Sequence, residues 1–466
     1  MLFNSLAFAG FLPVSLLLFY LAPAQLSRHV LVVVSYIFYA GWDWRFLGLI
    51  IASTGVNYAC GLGMARASSA RARNGLLAFS VIFSLGLLGV FKYFNFFGES
   101  LTALASAVGW NVAPITLQVA LPVGISFFTF QTMSYTIDLW RGKIEVERNF
   151  VAFAAFVAFF PQLVAGPIER ASDLLPQMRE RQLPNRTELK RAAWLIFWGY
   201  FLKVYMADNL APVVTAVYDS VATASGYDIV LAHYAFAFQI FGDFAGYSYI
   251  AIGIALLFGV HLNENFRFPY LVASPSQFWR NWHISLSTWL RDYLYIALGG
   301  NRGTTAFVCR NLLLTMVLGG LWHGAAWNFV LWGLYQGVLL VGFRLWTDEQ
   351  GAENLRGWNW GWRVLVFFQL TCFGWFLFRV PDMATFGAML RRCHEQPFGN
   401  AAYSLHWTLL TLVWTLPAAI VVGLQFRRGE PHQNPFGPRV VPTFLLFMAL
   451  LLLGNWGTRS FIYFQF

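Results

Sequence analysis

The chain has 466 residues, of which 58% are hydrophobic, 18% aromatic and only 11% charged. An ordinary soluble domain carries about 25% charged residues, and so few charges cannot cover this much apolar surface. A soluble enzyme, a disordered chain and a disulfide scaffold are set aside, and a polytopic membrane protein remains. The net charge of +10 reads first as basic loops on the cytoplasmic side rather than as a nucleic-acid surface.

An outer-membrane barrel would alternate apolar and polar residues over strands of about ten residues. Here the apolar runs are continuous and helix-length. The four cysteines, Cys60, Cys309, Cys372 and Cys393, show no ligand or disulfide spacing and read as small apolar residues. The expected fold is therefore an all-α polytopic membrane protein.

In chain order, the first apolar run, 3–22, has no Lys or Arg before Arg28. It is expected to be a retained helix rather than a signal peptide. Further runs follow near 30–44, 46–64, 75–97, 117–139, 191–210, 229–259, 306–322, 326–346, 362–380, 406–426 and 440–457. These predict about 11–12 transmembrane helices of roughly twenty residues. The stretch 150–168 contains Pro161, Gly166 and Pro167 and predicts a broken or re-entrant piece. Alternating the spans with loop 65–74 inside puts most Lys and Arg on the inner face and both termini outside. Two stretches do not span. Residues 261–305 are basic and aromatic on the inner side. Residues 381–405, on the outer side, predict an amphipathic surface helix and a loop, read equally as a connector or as a docking segment.

His323 lies in VLGGLWHGAAWNFVLWG, with no Lys, Arg, Asp or Glu from Asn311 to Gly342. An ionisable residue at such depth marks a functional site by default, and imidazole titrates where a general base must. The alternative is a buried histidine bonded across helices. In QFWRNWHISLSTWLRDYLYIALGGNRG, helical spacing aligns Arg280, His283, Ser287 and Arg291 on one polar stripe. That stripe suits either a membrane-surface helix or a substrate funnel. GGNRG, with Arg302, offers backbone freedom and a cation to a phosphate-bearing ligand. Asp243, in FQIFGDFAGYSYIAIG with Gln239 and Ser248, needs a partner or a water-filled cavity. Asn328 joins Asp243, Gln239 and Ser287 as a candidate tunnel polar residue. Nothing marks a metal site.

The segments FWRNWHISLSTWLRDYLYIALGGNRG and VLGGLWHGAAWNFVLWG, with LPVGISFFTFQTMSYTIDLWRG and FVAFFPQLVAGPIER, resemble the membrane-bound O-acyltransferase (MBOAT) family. The likeness is narrowest to its bacterial branch of alginate and peptidoglycan O-acetyltransferases, with the D-alanyl transfer proteins as cousins. Tyr249 departs from that branch, which often carries Asp there. The resemblance implies one integral domain over 1–466, with core motifs at 278–333 and helices ringing a tunnel through a thinned bilayer. It implies His323 as the catalytic histidine and His283 as the second polar position. It implies no bound cofactor, and acetyl-CoA or another acyl thioester as donor.

Arg280, Arg291 and Arg302 are the candidates for holding the donor's phosphates. The tail at 458–466 ends in FIYFQF, in which Phe461, Tyr463 and Phe466 resemble the FxYxxF ending of small membrane partners of the D-alanylation system. That likeness makes Tyr463 a candidate acyl carrier, with His323 as its base. The implied function is transfer of an acetyl group from a cytoplasmic thioester across the inner membrane to an extracytoplasmic polysaccharide. The implied partners are an SGNH-type acyltransferase outside the membrane, or a polysaccharide-modification complex, and the lipid bilayer. The competing reading is a transporter of an acetyl donor or lipid-linked saccharide that performs no chemistry.

Overall fold

A computed structural model of the chain describes all residues except 111, 114, 115, 119, 165, 347–356, 438, 458, 460 and 463–466. The described residues are helical with intervening turns, and their only extended pairing is an isolated bridge between Phe266 and Trp282. Seven helical runs among them are long and apolar enough to cross a membrane, and Leu6–Leu21 and Val440–Leu453 are shorter apolar helices. The protein is thus a multi-pass, all-α membrane protein. One run, Ser27–Arg66, contains two of the expected spans. It breaks at Asp43, which is extended (φ −155°) and caps the Arg45 backbone N–H. The expected span at 117–139 is the shorter helix Ile125–Trp140. The one at 191–210 runs through Arg186–Tyr200 into the π-helical segment Phe201–Ala207.

The chain forms two compact units. The first comprises Met1–Leu189 and Ile254–Asn263. Phe8, Phe38 and Phe160 interlock at centroid distances of 5.2–6.4 Å in its core. A polar cluster crosses its helices: Ser80 Oγ donates to Asn57 Oδ1 at 2.6 Å and stands 2.9 Å from Thr136 Oγ1. In the membrane such pairs replace water as the partner of buried hydroxyls. The expected break at Pro161 is present. Helix Phe150–Ala158 stops at Phe159 and a four-residue turn, Phe160–Leu163, follows, all of it buried. Gly124 (φ +75°) opens helix Ile125–Trp140, where a Cβ would lie 2.5 Å from the Leu163 carbonyl.

The second unit comprises Lys190–Gly253 and Glu264–Phe466 and holds the candidate chemistry. Glycines govern its helix crossings. Cβ atoms at Gly199 and Gly246 would meet each other's carbonyl oxygens at 2.6 and 2.7 Å. Side chains there would hold the helices apart. Helices Thr305–His323 and Trp327–Trp346 form an antiparallel hairpin turned by Gly324–Ala326. At their crossing, Cβ atoms on Gly320 and Gly333 would lie 2.2 Å from the Phe329 carbonyl and 2.3 Å from the Met316 carbonyl. Helix Gly357–Arg379 returns antiparallel to the second arm, with Asn328 Nδ2 donating to the carbonyls of Phe378 and Val380, and Tyr335 to that of Leu370. Arg344 and Gly357 therefore share one end of this layer, and His323, Asn328 and Arg379 the other.

Candidate active site

His323 is the last residue of its helix and is buried. Gly324 leaves the helix in extended conformation, and a Cβ there would sit 2.2 Å from the Phe329 ring. The WHG sequence thus ends the helix where only a glycine fits, and fixes the imidazole in a cage of rings. Trp322, Trp332 and Phe378 stand 5.1, 5.0 and 5.7 Å from it, all edge-on.

His283 does not lie on one helical stripe with Arg280, Ser287 and Arg291, as the spacing predicts. The expected helix is broken at this residue into Pro275–Asn281 and Ile284–Trp289. His283 itself is left-handed (φ +43°, ψ +54°) and fully buried. A left-handed histidine costs backbone energy, so something must hold it. The holder is Asn265. Its carbonyl accepts from Ile284 N–H at 3.0 Å. Its Oδ1 accepts from the Ser285 N–H and hydroxyl and faces His283 Nδ1 at 3.1 Å. A backbone N–H can only donate, so the Ser285 bond fixes which end of the carboxamide is oxygen. His283 Nδ1 must then carry the proton, leaving the lone pair on Nε2. Asn265 Nδ2 in turn donates to Ser248 Oγ at 3.2 Å.

The break turns His283 inward, where its ring centroid lies 6.3 Å from that of His323. Phe244 closes its other side at 4.6 Å.

Two cavities of the same unit carry charged side chains in their linings. One, of about 360 Å³, is lined by Trp279, Arg280, Ile284, Ser287, Arg291 and Arg344 among others. The histidines stand one residue behind this lining: Ile284 follows His283, and the Trp279 ring packs at 5.8 Å on Trp332, which touches His323. Arg280, Ser287 and Arg291 therefore do converge, and Arg344 joins them. Arg302 is outside that lining, exposed on the turn after Gly300.

The other cavity, of about 300 Å³, is lined by Lys203, Asp208, Gln239, Asp243, Arg379 and Arg459 among others. Lys203 is buried between two carboxylates, 2.8 Å from Asp208 and in contact with Asp243. This is the partner Asp243 requires, and Gly246 permits it, because a Cβ there would already stand 3.2 Å from that of Lys203. Arg379 follows Phe378, and Asp243 precedes Phe244, so each stands one residue from a ring that touches a histidine. Asn328 is a strut to the Phe378 and Val380 carbonyls rather than part of a cavity lining.

The segment after helix Val440–Leu453 is docked. Asn455 N–H donates to the Val204 carbonyl at 3.0 Å, and Ile462 N–H to Asp243 at 2.6 Å. Phe461 is buried 5.6 Å from Phe244 and 4.7 Å from Tyr247. Tyr463 and Phe466 lie outside the described residues. Residues 381–405 begin as a helix, Met383–Glu395, capped by Asp382 and anchored by the buried Met389. Lys203, Asn265 and Arg344 are residues the sequence reading passed over. Lys203 signalled itself as a cation within an apolar run, whereas nothing in sequence marks Asn265.

A helical membrane protein with a buried histidine pair and two cavities lined by charged side chains fits a membrane-embedded group-transfer enzyme. Residues 144–380 match the model of the membrane-bound O-acyltransferase family. The chain is 42% identical over 385 residues to a probable alginate O-acetylase of Azotobacter vinelandii, covering 82% of this chain and 76% of that one. It is 32% identical over 420 residues to a peptidoglycan O-acetyltransferase of Helicobacter pylori, covering 82% and 78%. It is 30% identical over 249 residues to a teichoic acid D-alanyltransferase of Streptococcus thermophilus, covering 50% and 59%. The chain belongs to the membrane-bound O-acyltransferase family and is an O-acyltransferase.

Proposed function

We propose that this protein transfers an acetyl group from a thioester donor to a hydroxyl, for O-acetylation of an extracytoplasmic polysaccharide. The observation that carries the reading is the buried pair His283–His323, with Ile284, the residue after His283, in the lining of a cavity bearing three arginines. Arg280, Arg291 and Arg344 hold the anionic part of the donor, acetyl-CoA or a related thioester, by charge-assisted hydrogen bonds. Its acyl end reaches the histidines past Trp279 and Ile284. His323 removes the proton of the acceptor hydroxyl as the oxygen attacks the thioester carbonyl. The C–S bond breaks, and the thiolate takes the proton from the imidazolium. His283, whose lone pair is fixed on Nε2, is the second polar contact of the reacting groups.

In this reading the arginine-lined cavity faces the cytoplasm and the Lys203 cavity the outside of the inner membrane, as the distribution of basic residues favours. The protein's termini then lie outside. Tyr463, one residue beyond the docked Ile462, is the first acceptor. An SGNH-type acyltransferase or a polysaccharide-modification complex, docked on 381–405, passes the group onward. The acetylases of alginate and of peptidoglycan among its relatives support the acetyl group and a polysaccharide as the end product.

The test is thiol release from acetyl-CoA by purified protein in nanodiscs. Release that is lost in His323→Ala is expected. Transmembrane flux of intact donor without thiol release would overturn the reading. A radiolabelled acetyl donor should label Tyr463, and the Tyr463→Phe variant should carry no label there.

A further inference from the structure

A third cavity, of about 450 Å³, lies among the apolar helices of the second unit. Its walls are helices Gly226–Leu257, Gly357–Arg379 and Ala401–Arg428 and the loop Phe268–Leu271. Two hydroxyls are in its lining, and both are already spent on carbonyls: Tyr270 donates to Ala237 and Thr415 to Thr411. Such a space does not hold water, and left empty it forfeits packing.

Two glycines keep it open. Gly361, near the start of helix Gly357–Arg379, and Gly423, near the end of helix Ala401–Arg428, line it, and a Cβ on either would meet nothing within 4 Å. Glycine weakens a helix relative to alanine. At Gly199, Gly246, Gly320 and Gly333 close helix approach demands it. At Gly361 and Gly423 neither packing nor backbone conformation does, so what they provide is room.

The shape of the space indicates what fills it. Thr415, Ala418, Ala419, Val422 and Gly423 form one face of their helix, and the same face continues one turn on to Phe426 and Arg427. Phe426 lies against Phe268 at 5.4 Å and stacks on Trp360 at 5.6 Å, a rim of rings of the kind found at a membrane interface. Beyond the rim the helix ends in the exposed cations Arg427 and Arg428. The space is therefore an apolar slot about 10–12 Å long, by 1.5 Å per helical residue, with cations at its mouth.

We propose that this slot binds one acyl chain of an anionic phospholipid, with the phosphate at Arg427 and Arg428. The lipid also braces the site. Its loop wall includes Phe268, the only described non-glycine residue besides His283 with positive φ. Tyr270 in the same loop stacks at 5.9 Å on Trp282, the residue before His283.

The test is native mass spectrometry of delipidated protein incubated with phosphatidylglycerol or phosphatidylcholine vesicles, on wild type, Gly423→Leu, Gly361→Leu and Arg427→Gln. Wild type should retain one phosphatidylglycerol, and its melting temperature should rise with that lipid. Gly423→Leu and Gly361→Leu, whose side chains enter the slot, should retain at least tenfold less and show no such rise. Folding of each is checked by a monodisperse elution profile, and either variant alone suffices. Arg427→Gln should bind both lipids alike. Equal retention by wild type and both leucine variants, or none by wild type, would overturn the proposal. Retention abolished by leucine but indifferent to headgroup in wild type would overturn the anionic assignment.

Discussion

The rings of His283 and His323 stand 6.3 Å apart at an interplanar angle of 68°, one at a helix end and the other at a left-handed break between two short helices. That spacing sets two nitrogen bases side by side in an otherwise aromatic cage. His323→Ala and His283→Ala should each lower acyl transfer by about 10²–10⁴-fold, the range for a positioned acid–base group. Thiol release per mole of folded protein measures it. Wild-type rates in either variant would remove that histidine from the reaction.

Asn265 acts on the reaction only through His283. In Asn265→Ala the imidazole loses the acceptor that fixes its tautomer, and the left-handed backbone loses its tie. The expected result is a fall in kcat with the donor KM within about twofold, together with a displaced pH profile. A proportionate rise in KM with kcat intact would show that Asn265 serves donor binding instead.

Arg280, Arg291 and Arg344 line the cavity that the proposed donor enters. Charge-assisted hydrogen bonds are worth about 1.5–3 kcal/mol each. Arg280→Gln and Arg344→Gln should therefore raise the donor KM by roughly tenfold or more, with a smaller effect on kcat. Arg291 also pairs with the neighbouring Asp292 at 2.7 Å, so part of its charge is already answered and Arg291→Gln should cost less. Arg302→Gln, outside the lining, should leave KM unchanged.

Lys203 is buried between Asp208 and Asp243. Lys203→Met leaves two carboxylates without their cation, and breaking a buried pair in this way costs about 3–5 kcal/mol. Thermal unfolding in detergent should show a large drop. Adding Asp243→Asn should restore part of it, though that variant also weakens the hold on Ile462. No recovery in the double variant would mean that Lys203 acts by packing alone.

Gly320 and Gly333 set the hairpin that delivers His323. Gly333→Leu puts a side chain where a Cβ already comes within 2.3 Å of a carbonyl, and overpacking of this kind costs about 1–3 kcal/mol. Folded yield should fall, whereas Gly55→Ala, with nothing within 4 Å of its Cβ, should leave it unchanged.

Much of this molecule could be read in the sequence by itself. Its apolar runs and scarce charges dictate helices in a bilayer, because only satisfied backbones survive there. The isolation of His323 in an uncharged stretch, and of Asp243 in an apolar one, marked both residues for the same reason: a polar group at such depth needs a partner or a task. Periodicity misled at His283. Its neighbours Arg280, Ser287 and Arg291 keep helical spacing, but long-range bonds from Asn265 break the helix and turn the imidazole inward. Tertiary structure alone decided that Lys203, in a different helix, answers Asp243 and that Arg344 joins Arg280. It alone separated glycines that let helices touch from glycines that leave a space. Local pattern fixes which face of a helix is apolar, whereas the partner of a buried charge and the width of a cavity are properties of segments distant in the chain.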